Sequence, residues 1–396
     1  MTTVPETLLF LAGQPAFLHA RGFEVHAVSS PGPLLAKFAE DEGVEVHAVE
    51  MARAITPARD LAALVRLRRV LARVRPDVVD AHTPKGGLLG MMAARFAGVP
   101  VRIYHLHGLR YLTAHGALRR VLLATERLAA ALATRVVCVS HSVAAIAVRD
   151  GIAPRGKVKV LLGGSINGVD AAGRFRPAPD DEARRAARAA LGLPPDARVL
   201  GFVGRIVREK GVVELFEAWR ALREELPDLR LVLVGPREPQ DPIPPEVAAA
   251  LDADPRVRCA GVDWDTPRWF RAMDVVALPS WREGFPVVPL EAAAMALPVV
   301  ATRVPGCVDA VVDGVTGRLV PPRDPSALAA ALRSYLADPA LRASHGAAAR
   351  GRVLADFEQG RFWSALRAEY LSALAEAGVA APSPEEDRAR PSASRP

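Results

Sequence analysis

Residues 278–302 read LPSWREGFPVVPLEAAAMALPVVAT. An apolar run closes at Leu278, a loop holding Gly284 and Pro286 follows, Pro289 opens an alanine-rich helical run, and PVVAT is again β-branched. Strand, loop, helix and strand in this order make a βαβ unit, the building block of parallel sheets. Two acids, Glu283 and Glu291, stand in the loop and in the helix's first turn. Proline in a first turn and acid near a helix N-terminus suit the helix dipole. A plain helix entry explains the segment as well as a site does, so the rest of the chain must decide.

The same alternation extends in both directions. RVLGFVGRI, LRLVLVG, VRCAGV, DVVALPS, PVVAT and GRLVPP read as strands of the second half. In the first half, residues 23–29, 44–49, 76–82, 101–107 and 135–140 do the same, with helical stretches between most of them. A region rich in Ala, Arg, Pro and Asp, 171–195, reads as a linker leading into a short helix. Two open α/β halves so joined predict a cleft facing the carboxyl ends of their strands. Residues 357–378 carry Phe362, Leu366, Tyr370 and Leu374 at helical spacing, and the Pro/Ser/charge-rich stretch from Val379 reads as a disordered tail.

The length of 396 residues fits two domains, and 50% apolar with 24% charged residues fits globular structure. Cys138, Cys259 and Cys307 are far apart, without zinc-ligand spacing, which fits a reducing compartment and no metal site. Neither a signal-peptide pattern nor an apolar run of spanning length occurs, so the expected place is cytoplasmic, or peripheral on the inner face of the membrane. The net charge of +7 is uneven: residues 1–180 hold 23 Lys and Arg against 14 Asp and Glu, the remainder 28 against 30. The excess includes the amphipathic patterns Arg59–Arg75 and Gly116–Arg135. An anionic membrane surface or a phosphate-bearing acceptor suits them; so does a solvated arginine face. Nucleic acid is not expected, because aromatics are 5% and not interleaved with the basic residues.

After the strand RVLGFVGRI comes GRIVREKGV, residues 204–212. Gly204 allows a close turn, and Arg205 and Lys210 place two cations at a strand-to-helix junction, an arrangement suited to a diphosphate. A solvated turn is the alternative. Gly284 likewise allows a close backbone approach, and Glu291 in a helix's first turn could accept from two vicinal ribose hydroxyls.

Together the motifs resemble those of the retaining glycosyltransferases of family 4, which have the GT-B fold. HTPKGGLLGMMAARFAGVPV (82–101), HGL (107–109) and GGSINGVD (163–170) resemble a subgroup that builds bacterial surface polysaccharides. The resemblance implies two Rossmann-like doubly wound domains facing across a cleft, with a C-terminal helix returning toward the N-terminal domain. The implied boundaries are 1–175 for an acceptor domain, 176–356 for a nucleotide-sugar domain, 357–378 for the crossover helix and 379–396 for the tail. It also implies that Arg205, Lys210 and Gly204 hold the donor's diphosphate, that Glu283 and Gly284 lie by the transferred sugar, and that Glu291 binds the ribose. Leaving-group charge would then be met by cations and amides, with no metal or other cofactor. The expected partners are a nucleoside-diphosphate sugar, most simply a UDP-sugar, and a lipid-linked or growing glycan acceptor.

Family members keep a histidine near the donor sugar, which points to His107; His105 shares its strand face. His82 and Lys85 are acceptor-side candidates, with a plain helix cap as the alternative for Lys85. The family often has glycine where this chain has Pro286, so the diphosphate amides fall to Phe285, Val287 and Val288. Members also open with an apolar strand ahead of a turn like TTVPETLLF, which leads to the expectation that Met1 is not the true start. A sugar-nucleotide epimerase on the same two-domain plan, or a non-catalytic nucleotide-sugar or nucleic-acid binder, remain as alternatives.

Overall fold

The computed structural model describes residues 1–382, and the chain divides into two units. One comprises Met1–Asn167 and the residues from Gly360 onward; the other is Gly168–Gln359. The sequence reading put these divisions at 175/176 and 356/357. Most of the expected tail, beyond Pro382, lies outside the described residues.

The first unit holds a parallel pair, β1 (His26–Ser29) and β2 (Glu45–Ala48), and a four-stranded parallel sheet. The sheet runs β3 (Val78–His82), β4 (Val101–Leu106), β5 (Arg135–Cys138) and β6 (Val158–Lys159), the last too short to read from sequence. Thr2 N donates to Val28 O at 2.9 Å and His82 N to Met1 O at 2.8 Å, so Met1 and Thr2 lie between β1 and β3. Helix Pro57–Val74 buries Ala63, Leu67 and Leu71, spaced by four, and leaves its arginines outward. Helix Pro84–Phe96 packs close on β4 because Gly87 has no side chain: a Cβ there would stand 2.1 Å from the Tyr104 ring. Helix Gln359–Glu376 turns Phe362, Leu366, Tyr370 and Leu374 onto Val101, Ile103 and Val137. Its apolar stripe is the one read from sequence.

The second unit is one parallel sheet of six strands. They are β7 (Arg198–Val203), β8 (Leu229–Val234), β9 (Val257–Gly261), β10 (Val275–Leu278), β11 (Val299–Thr302) and β12 (Gly317–Val320). Their order is β12-β11-β10-β7-β8-β9. The chain moves outward from β7 to β9, then returns to β7's other side with β10. That reversal makes a switch point between β7 and β10, where open α/β sheets bind ligands at the strands' carboxyl ends.

The stretch read as a linker is packed into this unit. Its helix, Asp181–Ala190, is capped by Asp180, which accepts from Ala183 N at 2.8 Å. Arg188 is buried and donates to Asp274 Oδ2 at 2.7 Å, an oxygen that also accepts from Val199 N at 2.7 Å. Removing one partner of such a buried pair costs about 3–5 kcal/mol. Among the described residues, no helix is long and apolar enough to cross a membrane.

Candidate active site

In the second unit, three loops at the carboxyl ends of β7, β10 and β11 meet. Gly204 follows β7 directly, at φ 144°. Gly211 has φ 73°, and a Cβ there would stand 2.0 Å from Pro279 O, so only glycine lets the loops after β7 and β10 touch. A Cβ at Gly306, after β11, would stand 2.2 Å from Gly284 O.

Across the first of these contacts Lys210 Nζ donates to Glu283 Oε1 at 2.5 Å, and Ser280 Oγ donates to the same oxygen at 2.7 Å. Arg205 donates to Glu238 at 2.7 Å and to Glu209 at 2.6 Å. Glu209 also accepts from Arg282 at 2.9 Å, and its carbonyl from Trp281 N at 2.8 Å. Trp281 in turn donates through Nε1 to Glu214 at 2.8 Å, in the first turn of helix Val212–Glu225. The loop carrying Glu283 is thus pinned to the helix that follows Lys210. Burial resists ionisation of Glu209, but Arg282 and Arg205 hold its carboxyl below the usual range. Burial, and Glu283 next, push the Cys307 thiol well above its ordinary value, so it is no nucleophile.

Lys210 and Glu283 thus form one ion pair, and Arg205, Glu209, Glu238 and Arg282 form another; the loops that carry them are joined through the backbone bond from Trp281 N to Glu209 O. Glu291 stands apart from both. It is half-buried in the first turn of helix Val288–Ala294, and burial pushes its carboxyl up to about 7, with Arg174 opposing. Asp170 shapes the turn before Arg174, accepting from Gly173 N at 2.7 Å and Arg174 N at 2.9 Å; the guanidinium donates to Trp264 O. Sequence reasoning passed over Arg174, although GGSINGVD ends only four residues earlier. It also passed over Ser280, Glu209 and Glu238. Phe285 packs its ring 5.6 Å from Phe357, leaving its backbone as the part that could meet a ligand. Val287 and Val288 precede the first helical bonds, from Leu290 N and Glu291 N to Val287 O.

The first unit carries a histidine cluster at the ends of β3 and β4. His82 Nδ1 and His107 Nε2 are 2.8 Å apart, and His82 Nε2 lies 3.5 Å from Asp80 Oδ1. Asp80 also accepts from His105 Nδ1 at 3.0 Å and from Tyr370 Oη at 2.6 Å. Burial opposes the Asp80 charge, but His105, His82 and Tyr370 hold its carboxyl far below the usual range. Burial, then His105, lowers His107 to about 3 against the pull of Asp80; burial also lowers His82. A neutral His82 with its proton on Nε2, toward the carboxylate, accepts at Nδ1 from His107 Nε2–H. His107 is then a neutral, oriented group with a free Nδ1 lone pair. Asp80, His82 and His105 have ligand atoms within 4.8 Å, yet the rings of His82 and His105 are stacked 4.6 Å apart at 10°. Parallel rings cannot both aim in-plane lone pairs at one ion, so the cluster suits hydrogen bonding better than metal. Lys85, expected on the acceptor side, is held by Asp60 at 2.7 Å and by Ala54 O.

Residues 197–338 match the family model described as glycosyl transferases group 1, and 16–164 match the glycosyl transferase 4-like domain. The capsular polysaccharide biosynthesis glycosyltransferase CapM of Staphylococcus aureus is 31% identical over 376 residues, covering 95% of this chain and 97% of CapM. An Escherichia coli UDP-Gal:alpha-D-GlcNAc-diphosphoundecaprenol alpha-1,3-galactosyltransferase is 28% identical, covering 72% of each chain. Among solved structures, Anabaena HepE with UDP and glucose superposes with a TM-score of 0.76 at 22% identity, over 93% of this chain and 96% of HepE. These matches support sugar transfer over the epimerase and binding-protein alternatives. The chain belongs to the group 1, family 4-like glycosyltransferases and has their GT-B fold of two Rossmann-like domains.

Proposed function

We propose that this glycosyltransferase moves a sugar from a UDP-sugar to a lipid-linked or growing glycan acceptor, with retention of anomeric configuration and no divalent metal. The observation that carries the reading is the Lys210–Glu283 contact at the β7/β10 switch point. The names of CapM and of the E. coli galactosyltransferase support the class of donor and acceptor.

Lys210 and Arg205 are paired with carboxylates. A donor diphosphate offers them stronger, charge-assisted partners. As the bond from the anomeric carbon to the β-phosphate oxygen breaks, its electron pair goes to the phosphate. Lys210, Arg205 and the amides of Phe285, Val287 and Val288 would stabilise that charge, the work a metal does elsewhere. Ser280 keeps Glu283 oriented once Lys210 turns to phosphate, leaving a carboxylate to stabilise the oxocarbenium-like carbon. The acceptor oxygen attacks the same face, and its proton passes to the departing phosphate. Glu291, once ionised, would accept from the ribose hydroxyls. His107 would offer a neutral hydrogen-bonding group, and His82 would position it. Lys85 could serve an acceptor phosphate only by leaving Asp60.

A peripheral place at the inner face of the membrane belongs to the same proposal. Exposed Leu61, Val65, Leu118 and Val121 stand on the two arginine-rich helices of the first unit, Pro57–Val74 and Gly116–Leu132. The test is transfer from labelled UDP-sugars to an undecaprenyl-diphosphate-linked sugar in excess EDTA, with the product's linkage read by NMR. An α-linked product formed in EDTA supports the proposal. A β-linked product, or activity that EDTA abolishes and a metal restores, contradicts it.

A further inference from the structure

Away from the transfer residues, the parallel pair β1–β2 gathers a second group of side chains. His26 is paired with Glu45, and Val28 with His47, so His26, Glu45 and His47 fall on one face at period two. His26 Nδ1 and His47 Nε2 face each other at 3.3 Å. The Glu45 carboxylate turns Oε2 toward the first and Oε1 toward the second, each at 3.8 Å. The other nitrogen of His26, Nε2, lies 3.1 Å from Glu24 Oε1. An ionised carboxylate only accepts, so Nε2 carries the proton and Nδ1 aims its lone pair at His47.

We propose that His26, His47 and Glu45 form a zinc-binding site, with Glu24 orienting His26 from behind. Tetrahedral zinc with Zn–N bonds of about 2.0–2.1 Å sets two ligand nitrogens about 3.4 Å apart. The pair stands at 3.3 Å before any ion enters, with ring centroids 5.4 Å apart at 22°; the two nitrogens point nearly straight at one another, so each ring must turn for its lone pair to meet an ion beside that line. Glu45 is 68% exposed, so it can close the remaining gap without disturbing the core. A water takes the fourth position. Glu24 is the carboxylate that metal-ligating histidines use to fix their tautomer. Two imidazoles select zinc over magnesium or calcium, which require oxygen ligands. Without the ion, His47 Nε2–H donates to His26 Nδ1. On binding, zinc takes that position and His47 carries its proton on Nδ1 instead. All three ligands lie on strands, so the ion would tie β2 to β1.

The site shares no residue with the proposed transfer chemistry, so it stands or falls separately. The test is calorimetric titration of the chelator-stripped full chain with zinc near neutral pH, on wild type and on His26→Asn, His47→Asn and Glu24→Gln. The expected result is one equivalent bound by wild type, with at least about tenfold weaker binding in each variant. Zinc should raise the melting temperature of wild type but not of His47→Asn, and magnesium should raise neither. Substituted cobalt should show the visible bands of a tetrahedral site, absent in His26→Asn. No binding by wild type, or equal binding by the histidine variants with native circular dichroism, overturns the proposal.

Discussion

Each unit carries an acid that burial pushes up to about 7, and the two differ in what faces them. Glu126 is 4% exposed on helix Gly116–Leu132 and accepts from Tyr104 Oη at 2.5 Å. Its desolvation is answered inside the fold. Glu291 is half-buried at a helix N-terminus beside the switch point, and its electrostatic partner is Arg174. The same direction of shift therefore marks a closed structural pair in one unit and, in the proposed function, a ribose-binding position in the other. A displaced pKa locates a site only when the geometry leaves the group something to bind.

The contrast can be broken by experiment. The largest effect is expected at the switch point: Glu283→Gln should lower the transfer rate about 10²–10³-fold while leaving the thermal shift caused by UDP in place. Full activity in this variant would remove Glu283 from the chemistry. Lys210→Met should lose a similar factor in rate and also most of the UDP-induced shift, because it removes a proposed diphosphate cation. A shift equal to wild type would mean that Lys210 serves only to hold Glu283.

Glu291 gives the next effect. Ribose hydroxyls donate to the ionised form, so UDP should bind about tenfold more tightly at pH 8 than at pH 6, with proton release between. Glu291→Gln should keep only the pH dependence of the nucleotide's own phosphates. Identical calorimetric pH profiles for the two proteins would contradict the ribose role. The smallest effect belongs to Glu126. Its native value near 7 lies above an unfolded value near 4.3, so the native state binds more protons between them and stability falls as pH rises through that window. Glu126→Gln removes this loss while keeping an acceptor for Tyr104. The melting temperature of the variant relative to wild type should therefore be higher at pH 8 than at pH 5; a constant difference would mean that Glu126 is not held neutral.

Much of the fold was legible because its strands are compact β-branched runs. RVLGFVGRI, LRLVLVG and PVVAT each became a buried strand within about three residues of the expected ends. Arg205, Lys210 and Glu283 were legible for the same reason, since they sit just beyond recognisable strand ends. Pairings made across the sheet were not. His82 meets His107 because β3 and β4 are neighbours, and sheet order is a tertiary fact. Lys85 looked free beside its glycines, yet Asp60, 25 residues earlier, holds it, and Gly87 is required by the Tyr104 ring rather than by a phosphate. Arg174 acts electrostatically on Glu291 although the two are far apart in sequence, with no spacing rule to connect them.

The central claim is that Arg205, Lys210 and Glu291 bind one nucleotide while Glu283 faces its sugar. A crystal structure of the full chain with UDP tests it most directly. Expected is a diphosphate within hydrogen-bonding distance of Arg205 and Lys210, with the ribose hydroxyls on Glu291 and the Lys210–Glu283 contact lengthened. A nucleotide bound elsewhere, or bound with that contact and the Glu291 carboxylate untouched, would contradict it.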